Sequence, residues 1–114
     1  MTTFATGRKA EAAAAKYLQA QGYKILNQNW RTKACEIDLV AQKSKVIYFV
    51  EVKYRQSADQ GGGLEYITGK KLQQMAFAAK IWVAENNYEG QHCLAAVEVS
   101  GEDYEVTGFI DNVF

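Results

Sequence analysis

The chain has 114 residues, 48% of them hydrophobic, so it is long enough to bury a core as one domain (residues 1–114) without disulfides or a structural metal. Its 13 Lys and Arg balance 13 Asp and Glu, and its two cysteines lack the clustered Cys and His spacing of zinc sites. No apolar run approaches the ~20 residues of a membrane span, and the first seven residues lack a signal-peptide pattern, so we expect a cytoplasmic protein with no membrane partner.

The predicted elements begin with a helix whose alanines, Tyr17 and Leu18 recur at helical spacing and which stops at Gly22. Three strands rich in β-branched and aromatic residues follow, then a glycine-rich loop, a longer helix and two more strands. Their predicted bounds are residues 5–21 (helix), 23–30, 36–42 and 46–54 (strands), 57–63 (loop), 67–86 (helix), and 91–100 and 103–110 (strands). The order α-β-β-β-α-β-β predicts a mixed α/β (α+β) fold in which both helices cover the sheet.

The strand at 46–54 starts with five apolar or aromatic residues, which predicts a central strand covered on both faces. If it forms an antiparallel hairpin with 36–42 through a turn at residues 44–45, facing residues have numbers that sum to 89. Asp38 then faces Glu51, and Glu36 faces Lys53, all on one side of the sheet. The opposite side of this hairpin would be apolar and would carry Ile37, Leu39 and Ala41 against Val52, Val50 and Tyr48.

This register brings the carboxyl groups of Asp38 and Glu51 together, with Cβ atoms about 5 Å apart. Either one carboxyl is protonated or a cation lies between them. Mg²⁺, or Mn²⁺ with the same ligands, fits such a site because it is commonly held by one or two carboxylates with waters and phosphate oxygens. Lys53 follows roughly 7 Å along the strand, within reach of a metal-bound water or a phosphate. These are the parts that phosphodiester hydrolysis requires. The alternative is a solvated ladder of charges on an exposed strand face.

The charges are unevenly distributed along the chain. Residues 1–80 hold all 13 basic and 6 acidic residues, a net charge of +7, whereas residues 81–114 hold 7 acidic residues and no Lys or Arg, a net charge of −7. Such asymmetry is a hint of a polyanionic partner on the basic part. The alternative is that folding mixes the two parts and leaves no basic patch.

Several segments carry a resemblance to a known family. They are Gly7-Arg8…Glu11-xx-Ala14-xx-Tyr17-Leu18, Gly22-Tyr23-x-Ile25-Leu26-xx-Asn29-x-Arg31, Glu36-Ile37-Asp38-Leu39-Val40-Ala41, Phe49-Val50-Glu51-Val52-Lys53-x-Arg55, Ile67…Lys71 with Ala78-Ala79-xx-Trp82, and Ile110…Phe114. With this pattern the chain resembles the YraN family of uncharacterised bacterial proteins, which is related to the restriction-endonuclease-like PD-(D/E)XK superfamily. Cys35 stands where that family usually has glycine.

The resemblance implies a restriction-endonuclease-like αβββαβ core with a mixed central sheet flanked by helices. It implies that Asp38 and Glu51 are metal ligands and that Lys53 is the catalytic lysine. Glu11 would be an outer acid of the same catalytic site, although an ordinary solvated helix glutamate is the alternative. Arg55 and Lys71 would contact nucleic acid through its phosphates, with solvated side chains as the alternative for each.

The function expected from these features is metal-dependent endonucleolytic hydrolysis of DNA, as in repair or recombination, by a chain that could act as a homodimer. A second hypothesis is a catalytically silent nuclease-like module that binds nucleic acid or a DNA-processing partner. A third is a small interaction protein whose acidic C-terminal third contacts another chain. Fold resemblance alone does not decide among them.

Overall fold

A computed structural model describes residues 4–56 and 67–113. Its seven elements follow the predicted order, whereas the predicted loop 57–63 lies outside the described residues. The elements are α1 (Phe4–Ala20), β1 (Lys24–Arg31), β2 (Glu36–Lys43), β3 (Val46–Arg55), α2 (Gly69–Glu85), β4 (Gln91–Ser100) and β5 (Glu105–Ile110). The fold is mixed α+β.

The strands form one five-stranded mixed sheet in the order β1-β2-β3-β4-β5. β3 and β4 are parallel, and every other neighbouring pair is antiparallel. β3 therefore lies at the centre, as its apolar sequence predicts. Parallel neighbours require a crossover connection, and α2 lies in the segment of chain that joins β3 to β4.

Each helix packs on a different hydrophobic cluster of the core. Leu18 of α1 belongs to the cluster that contains Leu39 and Val50, whereas Trp82 of α2 belongs to the one that contains Phe49. Phe49 and Val50 are 1% exposed although they are neighbours on one strand. Successive strand residues point to opposite faces, so both faces of β3 are covered.

The chain reverses between α1 and β1 at Gly22, whose φ of 94° lies in the left-handed region. The amides of Gly22 and Tyr23 donate to the carbonyls of Gln19 and Leu18, at 3.1 and 2.9 Å, and so satisfy carbonyls at the helix end. Among the described residues, no helix combines the length and the apolar character that crossing a membrane would take.

The β2–β3 hairpin has the predicted register over part of its length. Ladder pairs run from Lys43↔Val46 to Leu39↔Val50, and no pair between these strands continues beyond Leu39 in the described residues. The prediction that Ile37 shares a face with Leu39 and Ala41 is wrong, because Ile37 packs in the α2 cluster and the other two pack in the α1 cluster. The two strands separate at Asp38, and this fork locates the candidate site.

Candidate functional site

At the fork between β2 and β3, the side chain of Asp38 replaces a backbone carbonyl as a hydrogen-bond acceptor. The amide of Val52 donates a hydrogen bond of 2.8 Å to Oδ2 of Asp38, across the gap where the ladder has ended. A buried amide needs an acceptor, and here a side chain replaces the strand carbonyl. The carboxyl group of Asp38 is therefore fixed between the two strands.

Glu11 and Glu51 approach Asp38 from two different elements. Burial and, to a smaller extent, the nearby Glu51 carboxylate raise the pKa of Asp38 to about 8, although the hydrogen bond from the Val52 amide opposes the shift. Burial also raises the pKa of Glu11, which is hydrogen-bonded to Asp38. The predicted closeness of Asp38 and Glu51 is confirmed, although the described ladder ends at Leu39↔Val50 and does not pair these two residues directly. Glu11 on α1 adjoins the same acidic pair.

Two lysines contact the carboxylate of Glu51. Its Oε2 lies 3.1 Å from Nζ of Lys71 and 3.6 Å from Nζ of Lys53, and the Glu51 side chain is only 12% exposed. Lys53 was expected beside Glu51 from the strand alternation. The family resemblance implied that Lys71 contacts phosphate. Its contact with Glu51 was not predicted, because only the packing of α2 against the sheet brings Lys71 to that carboxylate. The acids and these ammonium groups form one mixed-charge site.

The predicted pairing of Glu36 with Lys53 is wrong. Glu36 lies opposite Arg31 in the β1–β2 ladder, and its Oε2 is 3.6 Å from Arg31 Nη2. The physical reason is the fork at Asp38, which parts β2 from β3 before Glu36 is reached. Both side chains of the Arg31–Glu36 pair are more than half exposed, so this ion pair adds little stability.

Arg55 lies farther along β3, next to Glu98 of β4. Its Nη1 is 3.8 Å from Glu98 Oε2, and the Arg55 side chain is 16% exposed. Glu98 also accepts a 2.8 Å hydrogen bond from Thr107 of β5. A phosphate at Arg55 would therefore compete with Glu98, and the predicted phosphate contact stays a prediction.

The acidic pair opens into a cavity of about 210 Å³ between β2, β3 and α2. Asp38, Glu51 and Lys71 form its polar part. The rest is formed by apolar or neutral side chains, namely Ala34, Cys35, Ile37, Phe49, Val50, Gln74, Met75 and Phe77, with Glu36 at one side. Sequence reasoning missed Gln74 and Phe77. The available signal was helical spacing, because Gln74 follows Lys71 by three residues and Phe77 follows Gln74 by three.

The candidate metal ligands are two carboxylates. Within residues 4–56 and 67–113, no three His, Cys, Asp or Glu side chains are grouped so as to hold a metal ion. Asp38 and Glu51 supply the hard oxygen donors that Mg²⁺ and Mn²⁺ prefer, and Mg²⁺ commonly takes only one or two carboxylates from the protein. The donor set therefore fits Mg²⁺ or Mn²⁺ completed by water or phosphate oxygens.

Comparison with known proteins identifies the relatives of this chain. The family described as "Uncharacterised protein family UPF0102" matches residues 10–101. A UPF0102 protein of Pseudomonas putida is 41% identical over 86 residues, 75% of this chain and 70% of the relative. One from Vibrio campbellii is 37% identical over 102 residues, covering 85% of this chain and 84% of the relative, and one from Pseudomonas fluorescens is 34% identical over 110 residues, covering 96% and 92%. The chain therefore belongs to the UPF0102 (YraN-like) family.

Proposed function

We propose that this chain is a cytoplasmic, metal-dependent DNA endonuclease with a restriction-endonuclease-like, PD-(D/E)XK core. The observation that carries the proposal is the meeting of Asp38 and Glu51 at one cavity, with the ammonium groups of Lys53 and Lys71 on Glu51. The order of the first six elements, α-β-β-β-α-β, is the one expected for that core. Hydrolysis of a phosphodiester uses this combination of carboxylates and a cation.

The environment of Asp38 supports a bound divalent cation. A buried carboxyl beside a second carboxylate has a pKa of about 8, so in the absence of a cation the protonated form is favoured at neutral pH. A divalent ion held by Asp38 and Glu51 would favour the ionised form of both groups. Mg²⁺ or Mn²⁺ bound there would supply an activated water and charge stabilisation at the scissile phosphate.

The other residues of the site position these groups. Glu11 is hydrogen-bonded to Asp38 and limits the rotation of its carboxyl group, while the Val52 amide holds Oδ2. Lys53, whose side chain is 42% exposed, donates hydrogen bonds to a phosphate oxygen or to the attacking water. Lys71 orients Glu51 and offers a second cation to the phosphate.

The contacts of Glu51 favour a second candidate, the catalytically silent binding module. Two lysine ammonium groups contact its carboxylate, at 3.1 and 3.6 Å. A divalent cation that binds Glu51 has to compete with them. In this second function the same lysines and carboxylates bind nucleic acid or a DNA-processing partner and no bond is broken.

A cleavage assay with a matched lysine control tests the proposal. Wild type, Asp38→Asn, Lys53→Ala and Lys80→Ala are incubated with labelled linear, nicked and branched DNA in Mg²⁺ or Mn²⁺. We expect metal-dependent cleavage that falls at least ~100-fold in the first two variants and is unchanged in Lys80→Ala, because Lys80 is an exposed residue of α2 that does not line the cavity.

Three outcomes separate the alternatives. DNA binding without cleavage by wild type at millimolar metal supports the silent module. Cleavage that persists in Lys53→Ala reveals a contaminating nuclease. If Mg²⁺ and Mn²⁺ change no NMR signal of Asp38 or Glu51 at millimolar concentration, the metal-dependent mechanism is refuted.

A further inference from the structure

Phe77 on α2 is a large hydrophobic residue that the fold leaves in water. The residue is 47% exposed, and in the described part of the chain the only other exposed large hydrophobic residue is Ile110, at 36%. A phenyl ring at this exposure gains little from the core. Isolated exposed apolar residues are ordinary, so the position of Phe77 decides whether it has a role.

Phe77 lies at the cavity that contains the acidic pair. The same cavity is lined by Phe49 and Met75 on its apolar side and by Asp38 and Glu51 on its polar side. Ile110 does not line it. An aromatic ring open to solvent thus lines the same cavity as the carboxylates to which the proposed function assigns phosphate chemistry.

Gln74 provides hydrogen-bonding groups beside this ring. It lies three residues before Phe77 on α2, a spacing that places two side chains on neighbouring parts of a helix surface, and it lines the same cavity. A carboxamide offers one acceptor and two donor hydrogens, which match the edges of nucleobases. In the sequence Lys71-x-x-Gln74-x-x-Phe77, α2 therefore presents a cation, an amide and a ring in succession.

The size of the cavity limits what can enter. Its volume of about 210 Å³ is below the roughly 300–1,000 Å³ typical of pockets for larger ligands. A single planar ring system fits such a space, whereas a base pair of intact duplex does not enter it. A base inside a duplex would have to leave its stack to reach Phe77, and the free-energy cost of doing so is smallest where the base is already unpaired.

We infer that the cavity binds one unpaired base of the DNA substrate, stacked on Phe77 with its edge towards Gln74, while the adjoining phosphate lies at Asp38, Glu51 and Lys53. This inference rests on the proposed function and specifies its substrate class, DNA with an unpaired nucleotide at the cleavage position. Stacking on an aromatic ring tolerates any base, so the expected selectivity is for structure and not for sequence.

Binding measurements on the full chain test this inference. A fluorescein-labelled 20-base-pair duplex with one bulged nucleotide is compared with the fully paired duplex, with Ca²⁺ replacing Mg²⁺ to slow cleavage. We expect wild type to bind the bulged duplex at least ~10-fold more tightly. Phe77→Ala should lose roughly 5- to 100-fold in affinity for the bulged duplex and keep the wild-type affinity for the fully paired duplex. Phe77→Trp should retain the wild-type affinity for both.

Ile110→Ala is the matched control, because it also truncates an exposed apolar side chain but lies outside the cavity. Equal affinities of Phe77→Ala and Ile110→Ala for the bulged duplex would overturn the inference. If wild type binds and cleaves both duplexes equally, the inference fails while the proposed endonuclease stands. If it binds no DNA at all, both fail.

Discussion

At the scale of single residues, the site depends on the burial of one carboxyl group. Asp38 lies where β2 and β3 separate, and its carboxyl group accepts a 2.8 Å hydrogen bond from the Val52 amide. The pKa of Asp38 is about 8, compared with an ordinary value of 3.8, because burial and the Glu51 carboxylate both disfavour its charged form. A group of this kind links folding stability to pH and to metal binding.

We expect the metal-free protein to lose stability as pH rises from 5 to 8. Unfolding lets Asp38 ionise at its ordinary pKa of 3.8, whereas the folded state keeps the proton up to about pH 8. This stabilisation is fully present at pH values below the pKa of Asp38 in the unfolded protein. It is lost as pH rises through the pKa in the folded protein, and the free energy of unfolding falls by at most about 1.4 kcal/mol per pH unit. Urea unfolding in EDTA at several pH values measures this slope.

Asp38→Asn removes the titrating group and should flatten the slope, while Asp103→Asn, in the exposed turn before β5, should leave it unchanged. Added Mg²⁺ should also flatten the wild-type slope, because a bound cation replaces the proton. A wild-type free energy of unfolding that is independent of pH in EDTA would contradict the raised pKa of Asp38.

At the scale of elements, α2 brings the cavity together. Lys71, Gln74, Met75 and Phe77 all reach the cavity from this helix. The first turn of α2 is held by its N-cap, Thr68, whose hydroxyl oxygen accepts a 3.1 Å hydrogen bond from the Lys71 amide. The cap thus positions the backbone of the lysine whose ammonium group contacts Glu51.

We expect Thr68→Ala to lower the free energy of unfolding by about 1 kcal/mol, because it leaves an amide of the first turn without its side-chain acceptor. Thr68→Ser keeps the hydroxyl group and should restore most of that stability. Chemical denaturation of the two variants beside wild type gives the comparison. An equal loss in Thr68→Ala and Thr68→Ser would mean that the threonine methyl group, and not the cap, is responsible.

At the scale of the whole molecule, folding interleaves the basic and acidic parts of the chain. β4, from the acidic part, pairs with β3 along its full length, and Glu98 is buried beside Arg55. The turn after β4 carries the exposed residues Glu102 and Asp103, and the Gly101 amide donates to the Arg55 carbonyl at 2.9 Å. This acidic turn therefore lies at the same end of the sheet as Lys53.

We expect the double substitution of Glu102→Gln with Asp103→Asn to strengthen DNA binding several-fold at 50 mM salt, because it removes negative charge near the proposed phosphate site. The effect should shrink as salt rises, since the Debye length is about 10 Å at 0.1 M. Fluorescence anisotropy across a salt series measures it.

The control is Glu85→Gln with Glu89→Gln, which removes the same charge at the C-terminal end of α2 and the start of β4, where β3 also begins. An equal gain from both pairs would show that net charge alone sets the DNA affinity, and would place the bound DNA no closer to one end of the sheet than to the other.

Local sequence patterns predicted most of the helices and strands, and they predicted the part of the site that lies on the β2–β3 hairpin. Helical spacing and the stop at Gly22 located α1, and the alternation around the turn at residues 44–45 predicted the β2–β3 register up to Leu39↔Val50. These features depend on neighbours in sequence. The same alternation placed Asp38 beside Glu51 and Lys53 near both, because one hairpin carries all three residues.

The sequence by itself determined the order of the elements, the central position of β3 and the closeness of Asp38 to Glu51. The fork at Asp38, the pairing of Glu36 with Arg31, the arrival of Lys71 at Glu51 and the exposure of Phe77 over the same cavity were decided only by the tertiary structure. The physical reason is that each of these depends on how a third element packs against the hairpin. Hydrophobic periodicity tells which face of α2 is buried, but it does not tell which residues of the sheet that face will meet.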